Sequence, residues 1–211
     1  MDNLSLILLL SIAAPICMML FVASERVRRV LIFFISGLII CFVSGIINSR
    51  LIVILNVDKN FYSINFTPLI EEILKSLPIL VYAFYEKKDK KKIFECAIAV
   101  GIGFAVLENA FILSSSVRSI SIPLALVRGF GTGVMHGIGT LAVGFGMSFV
   151  HTRRKLFYTG TTALLGGAIL YHSLFNILIQ SSFQLIGFIL PMLSFIPIVW
   201  AIKSVKGDGS D

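Results

Sequence analysis

Residues 30–49 read VLIFFISGLIICFVSGIINS. No charge interrupts the run, and about 20 residues of helix are what a bilayer's hydrocarbon layer requires. Comparable runs recur on both sides. The pattern predicts seven spanning helices at 4–23, 30–49, 66–85, 93–115, 124–150, 157–180 and 184–203. The expected fold is therefore all-α, a polytopic transmembrane bundle of about seven helices. Residues 1–205 form one domain and residues 206–211 a flexible tail. Short loops and the lack of an evident internal repeat leave no room for a separate soluble unit.

Composition agrees. The chain is 57% hydrophobic and only 14% charged, with a mean hydropathy of +0.96, whereas soluble domains carry about a quarter charged residues. Lipid is thus the solvent for most of its surface. The first run, Leu4 to Ala23, has Asp2 and no basic residue before it, so it reads as a retained helix rather than a secretory signal. Cys17, Cys41 and Cys96 show no paired spacing and fit neither a disulfide framework nor a zinc site.

The net charge of +7 does not point to nucleic acid, because the cations are clustered in alternate loops. Arg26, Arg28 and Arg29 follow the first helix. Lys87, Lys88 and Lys90 to Lys92 follow the third, Arg153 to Lys155 the fifth, and Lys203 and Lys206 the seventh. The other loops hold little beyond Arg50, Lys59 and Arg118. Loops rich in Lys and Arg remain cytoplasmic, which places the N-terminus outside and the C-terminus inside a cell membrane. The segment Ser114 to Arg128, with its serines and Pro123, reads either as a kinked start to the fifth helix or as a short interfacial helix.

Ionisable groups at membrane depth cost roughly 2.5–3.5 kcal/mol each, which makes them functional-site candidates. The third helix carries Glu71, Glu72 and Lys75; the fourth Glu108 and Asn109; the fifth His136; the sixth His172 and Asn176. At 1.5 Å per residue, Glu71, Glu108 and His172 lie about 8, 10 and 12 Å from the outer ends of their helices. His136 is comparable if its helix enters near Arg128. These groups are expected to converge in the outer half of the bundle. Glu71 and Glu72 differ by about 100° of rotation, so only one of them should face a reacting centre. Gly101, Gly103, Gly129, Gly131, Gly133, Gly137 and Gly139 would let the fourth and fifth helices pack closely. The phenylalanines read as lipid-facing bulk.

Such an inventory suits hydrolysis without a serine or cysteine nucleophile. A buried carboxylate can act as general base toward water, and His172 with Asn176 on one helix face can donate to an oxyanion. A divalent metal is possible but not favoured, because there is no His-Glu-x-x-His pair and a neutral Asn is a poor zinc ligand; the reading assigns no cofactor.

These residues also carry a resemblance. Glu71-Glu72-Ile73-Leu74-Lys75 resembles the Glu-Glu-x-x-Lys motif of the PrsW family of glutamate-dependent intramembrane proteases, within the CAAX protease and bacteriocin-processing superfamily. Gly103 to Asn109 resembles that family's Gly-Phe-Ala-x-x-Glu-Asn block. Arg128 followed by His136 resembles the third block, and His172 heads the last. The four blocks occur in family order across residues 71 to 176. Lys75 stands at a shorter spacing than the arginine of the wider superfamily, and Asn176 stands where an acidic residue is expected. The resemblance implies a protease that cleaves a single-span membrane protein, an anti-sigma factor, at its first, outer site. It implies Glu71 or Glu72 as base, His172 as essential partner, and Glu108 and His136 completing the water site. Beside these, Lys75 and Arg128 read as ion partners, because an unpaired charge at depth is costly, and Asn109 and Asn176 as supporting residues. An ion-coupled transporter or a non-catalytic sensor or immunity protein is the alternative.

Overall fold

The computed structural model describes residues 3–87, 89–115 and 121–205. Eight helices follow one another: α1 (Asn3–Met19), α2 (Glu25–Leu55), α3 (Lys59–Asn65), α4 (Thr67–Tyr85), α5 (Lys90–Ser115), α6 (Ile122–Met147), α7 (Arg154–Ile179) and α8 (Gln184–Val205). No strand occurs among the described residues. Three helices, α2, α5 and α7, are long and apolar enough to cross a membrane by length and composition alone. Three buried charges interrupt α4 and repeated glycines dilute α6. Lys88, Arg118, the middle of the Ser114 to Arg128 segment and the 206–211 tail lie outside the described residues.

Seven of the eight helices match the predicted spans; the short α3 was not foreseen. It arises from turn chemistry rather than hydropathy. Asn56 ends α2 in the left-handed region at φ 48°, a conformation that Asn tolerates. Asp58 then caps α3, its side chain accepting from the Asn60 and Phe61 backbone N–H groups at 2.9 Å each. The described part of the ambiguous segment from Ser121 onward forms the start of α6. Ser121 caps it and Pro123 occupies its first turn, where a missing N–H costs nothing. The helix therefore begins at Ile122, well before Arg128, and His136 lies about 21 Å of rise from its start.

Helix α6 is the hub, packing on α4, α5, α7 and α8, while α5 bridges it to α2. Residues Ile79, Ala97, Val100, Val143 and Met147 form the apolar core toward the basic end. There Arg26 and Arg29 reach Glu95 at 2.7 and 3.2 Å, which fixes α2 beside α5. Met135, Phe175 and Phe188 form a second cluster toward the other end. Glu71, Glu72 and Lys75 of α4, Glu108 of α5, His136 of α6 and His172 of α7 lie between these two apolar layers.

The glycines divide by role. A Cβ on Gly101 would strike the His136 carbonyl and the Thr140 hydroxyl, so this glycine is the close α5–α6 contact. Gly103 serves α2 at Phe34 and Gly131 serves α8 at Phe188, whereas Gly129 and Gly133 face open space. The sequence expectation that all seven glycines join two helices is thus corrected, since side-chain volume matters only where backbones meet. Gly101→Ala should push α6 away from α5, costing about 1–3 kcal/mol and displacing His136. Gly133→Ala should leave thermal stability equal or slightly raised. Paired melting curves in detergent distinguish the two.

Candidate active site

Helix α4 supplies three charges within two turns. Glu72 and Lys75, three apart, meet as a buried ion pair with Lys75 Nζ 2.6 Å from Glu72 Oε1; their side chains are 1% and 0% exposed. Lys75 Nζ also lies 2.7 Å from His136 Nδ1 and 4.7 Å over the Phe104 ring. A charged ammonium can only donate, so His136 Nδ1 accepts and its Nε2 carries the proton toward Glu108 Oε2, 3.1 Å away. The chain of contacts from Glu72 to Glu108 thus links α4, α6 and α5.

Helix α7 closes the cluster. His172 Nδ1 lies 2.9 Å from Glu72 Oε1 and donates to it. The other ring nitrogen, Nε2, then presents a lone pair, and it faces Glu71 Oε2 at 3.8 Å. Glu71 is 7% exposed and this oxygen has no hydrogen-bond partner. The two atoms face each other across a gap too long for a direct hydrogen bond. The rings of His136 and His172 stand edge to face, 4.9 Å apart.

The structure brings Glu71, Glu72, Lys75, Glu108, His136 and His172 into one connected group, but His136, about 21 Å of rise from the start of α6, lies deeper along its helix than the outer-half level expected of it. Other residues fall differently. Arg128 makes no ion pair among the described residues. Its guanidinium sits 5.7 Å over Phe188, and its buried Nε is unbonded. Asn176 donates its amide N–H to the Ser63 carbonyl at 2.8 Å, tying α7 to α3. That contact, rather than an oxyanion, is what its position one turn beyond His172 provides, because α3 covers this end of α7. Asn109 is buried with an unpartnered Oδ1. Phe104 was misread as lipid-facing bulk; it is fully buried and packs 4.8 Å from the His136 ring. Its place one turn before Glu108 was the signal for that role.

On one side the cluster opens to a cavity of about 400 Å³, which Glu71 and Glu108 help to line. The remaining wall comes from α2, α3 and the ends of α1, α4 and α5. A buried acid and imidazole centre inside an apolar helical bundle, open to a cavity, is the arrangement of a membrane-embedded hydrolase.

The chain belongs to the PrsW family: the family described as PrsW family intramembrane metalloprotease matches residues 25–202. It is accordingly an intramembrane protease and a membrane protein. Neither the curated proteins nor the solved structures give a match.

The family description raises the metal that the sequence reading did not favour. Glu71, His136 and His172 each offer a ligand atom, all within 4.8 Å of one another. One carboxylate and two imidazoles are a donor set of catalytic zinc sites. The lone pairs of Glu71 Oε2 and His172 Nε2 already converge, and Glu72 orients His172 as carboxylates orient metal-binding imidazoles. The residues fit a divalent cation, with His136 exchanging one of its present hydrogen bonds to join. The missing His-Glu-x-x-His pair was a poor guide, because these ligands come from three separate helices.

Proposed function

We propose that the protein hydrolyses a peptide bond of a single-span membrane protein near the extracytoplasmic face of the cell membrane. Its helices cross repeatedly, with the basic loops, and hence the C-terminus, on the cytoplasmic side. The observation that carries this reading is Glu71: a buried carboxylate with a bare oxygen, 3.8 Å from His172 Nε2 and on the wall of the cavity. Water held between these two atoms is deprotonated by Glu71 as it attacks the scissile carbonyl, and Glu71 returns that proton to the leaving amide nitrogen as the C–N bond breaks. His136 stands at the same point, and its Nε2–H can turn from Glu108 to the developing oxyanion. Lys75 and Glu72 hold the two imidazoles in their tautomers. Were a divalent cation held by Glu71, His136 and His172 in place of that direct water bridge, it would supply Lewis-acid polarisation of the carbonyl and acidify water. By resemblance to the family, site-1 cleavage of an anti-sigma factor is the biological reaction.

Two measurements test this. Tagged single-span proteins co-expressed with the chain should be cut, with the new terminus mapped by mass spectrometry to the outer juxtamembrane region. Elemental analysis of the purified protein should find a bound divalent metal that falls several-fold in His172→Ala. Metal content identical in wild type and variant would remove the cation from the scheme while leaving the carboxylate chemistry standing.

A further inference from the structure

The cavity beside Glu71 is built for more than water. On α2 its wall runs from Cys41 through Asn48 and Ser49 to Ile52, positions that share one helix face. That run rises about 16 Å, and an extended chain advances about 3.3 Å per residue, so the length matches about five residues of unwound peptide. The volume of about 400 Å³ lies within the range of sites that enclose a ligand, about 300–1,000 Å³.

Chemistry of the wall fits the same occupant. A protease must unwind a helix to reach its backbone, and at membrane depth every freed N–H and C=O needs a partner. The wall supplies polar groups along its length, among them Ser5, Asn48, Ser63 and Thr67. The Ser5 and Thr67 hydroxyls make no hydrogen bond among the described residues. The rest of the lining is apolar, which suits aliphatic side chains of a transmembrane segment.

Charge gives the groove a direction. Glu71 and Glu108 stand at its inner end, beside the histidines. Lys59, the first residue of α3, lines the cavity where α2 and α3 meet. It is exposed and has no carboxylate within salt-bridge distance among the described residues. The neighbouring Asp58 is occupied in capping α3. A carboxylate on the peptide is attracted at the Lys59 end and repelled beside Glu71 and Glu108.

We propose that this cavity is the groove for the unwound stretch of the substrate, and that Lys59 selects an acidic residue about five positions from the cut bond. The inference rests on the protease reading above and adds the class of sequence it takes: aliphatic next to the scissile bond, acidic at the outer end. The test is a library of single-span reporters randomised over the outer juxtamembrane segment, co-expressed with the full chain, with cleaved members sequenced. Wild type should enrich Asp and Glu at one fixed position. Lys59→Glu should invert that preference toward Lys and Arg, by about 10-fold, without moving the cut. Should Lys59→Glu cut nothing, Lys59→Gln decides: loss of the acidic enrichment supports the groove, and its persistence overturns it. A charge preference that survives in Lys59→Glu, or none in wild type, also overturns it. If wild type cuts no reporter at all, the protease reading itself falls and this inference goes with it.

Discussion

Glu71→Gln is expected to abolish cleavage, lowering the rate by about 10²- to 10⁴-fold, while the protein inserts, accumulates and melts as wild type does. The argument is geometric. Glutamine matches glutamate in shape but cannot take a proton from water. The Glu71 side chain has no hydrogen bond to lose among the described residues: its Oε2 is buried and unpartnered, with His172 Nε2 3.8 Å away. The two functions of a buried acid, stability and chemistry, are therefore separable at this position. Membrane fractions of wild type and variant, matched for abundance and incubated with the same reporter, provide the measurement. A variant that cuts at the wild-type rate removes Glu71 as the base.

The Glu72 and Lys75 pair should respond in the opposite way. Glu72 Oε1 accepts from Lys75 at 2.6 Å and from His172 at 2.9 Å, with both side chains of the ion pair buried. Taking one partner from a buried pair leaves a stranded charge and costs about 3–5 kcal/mol. Lys75→Met and Glu72→Gln should each lower the melting temperature markedly and abolish cleavage. The double variant Lys75→Met/Glu72→Gln should recover most of the stability, because neither charge is then stranded. Activity should not return, since His172 and His136 lose the groups that fix their tautomers and ring orientations. Detergent melting curves for the three variants, with cleavage in parallel, separate these effects. Additive losses in the double variant would show that the two groups do not act as a pair.

These two expectations divide a motif that looked uniform. Glu71 and Glu72 are adjacent carboxylates, and helix periodicity says only that they point about 100° apart. Which one faces the cavity depends on where α7 and α6 lie relative to α4. His172 approaches from the Glu72 side through Nδ1 and leaves Nε2 toward Glu71, and no local pattern encodes that. The same holds for Asn176. Its spacing of four from His172 correctly placed the two residues on one face. Yet α3, too short and too polar for a hydropathy reading, covers that face and takes the amide at Ser63.

The sequence alone determined the membrane bundle, the seven long helices and the six ionisable residues that belong together, Lys75 among them, because apolar length and the cost of buried charge are local properties of the chain. Tertiary structure alone decided that Glu72 is ion-paired while Glu71 lines the cavity, that Phe104 supports His136, that Arg128 lies on Phe188, and that three helices can offer a Glu-His-His donor set. Those outcomes depend on the angles and distances between helices, which are fixed by contacts such as Gly101 against the His136 backbone and not by the periodicity of any one segment.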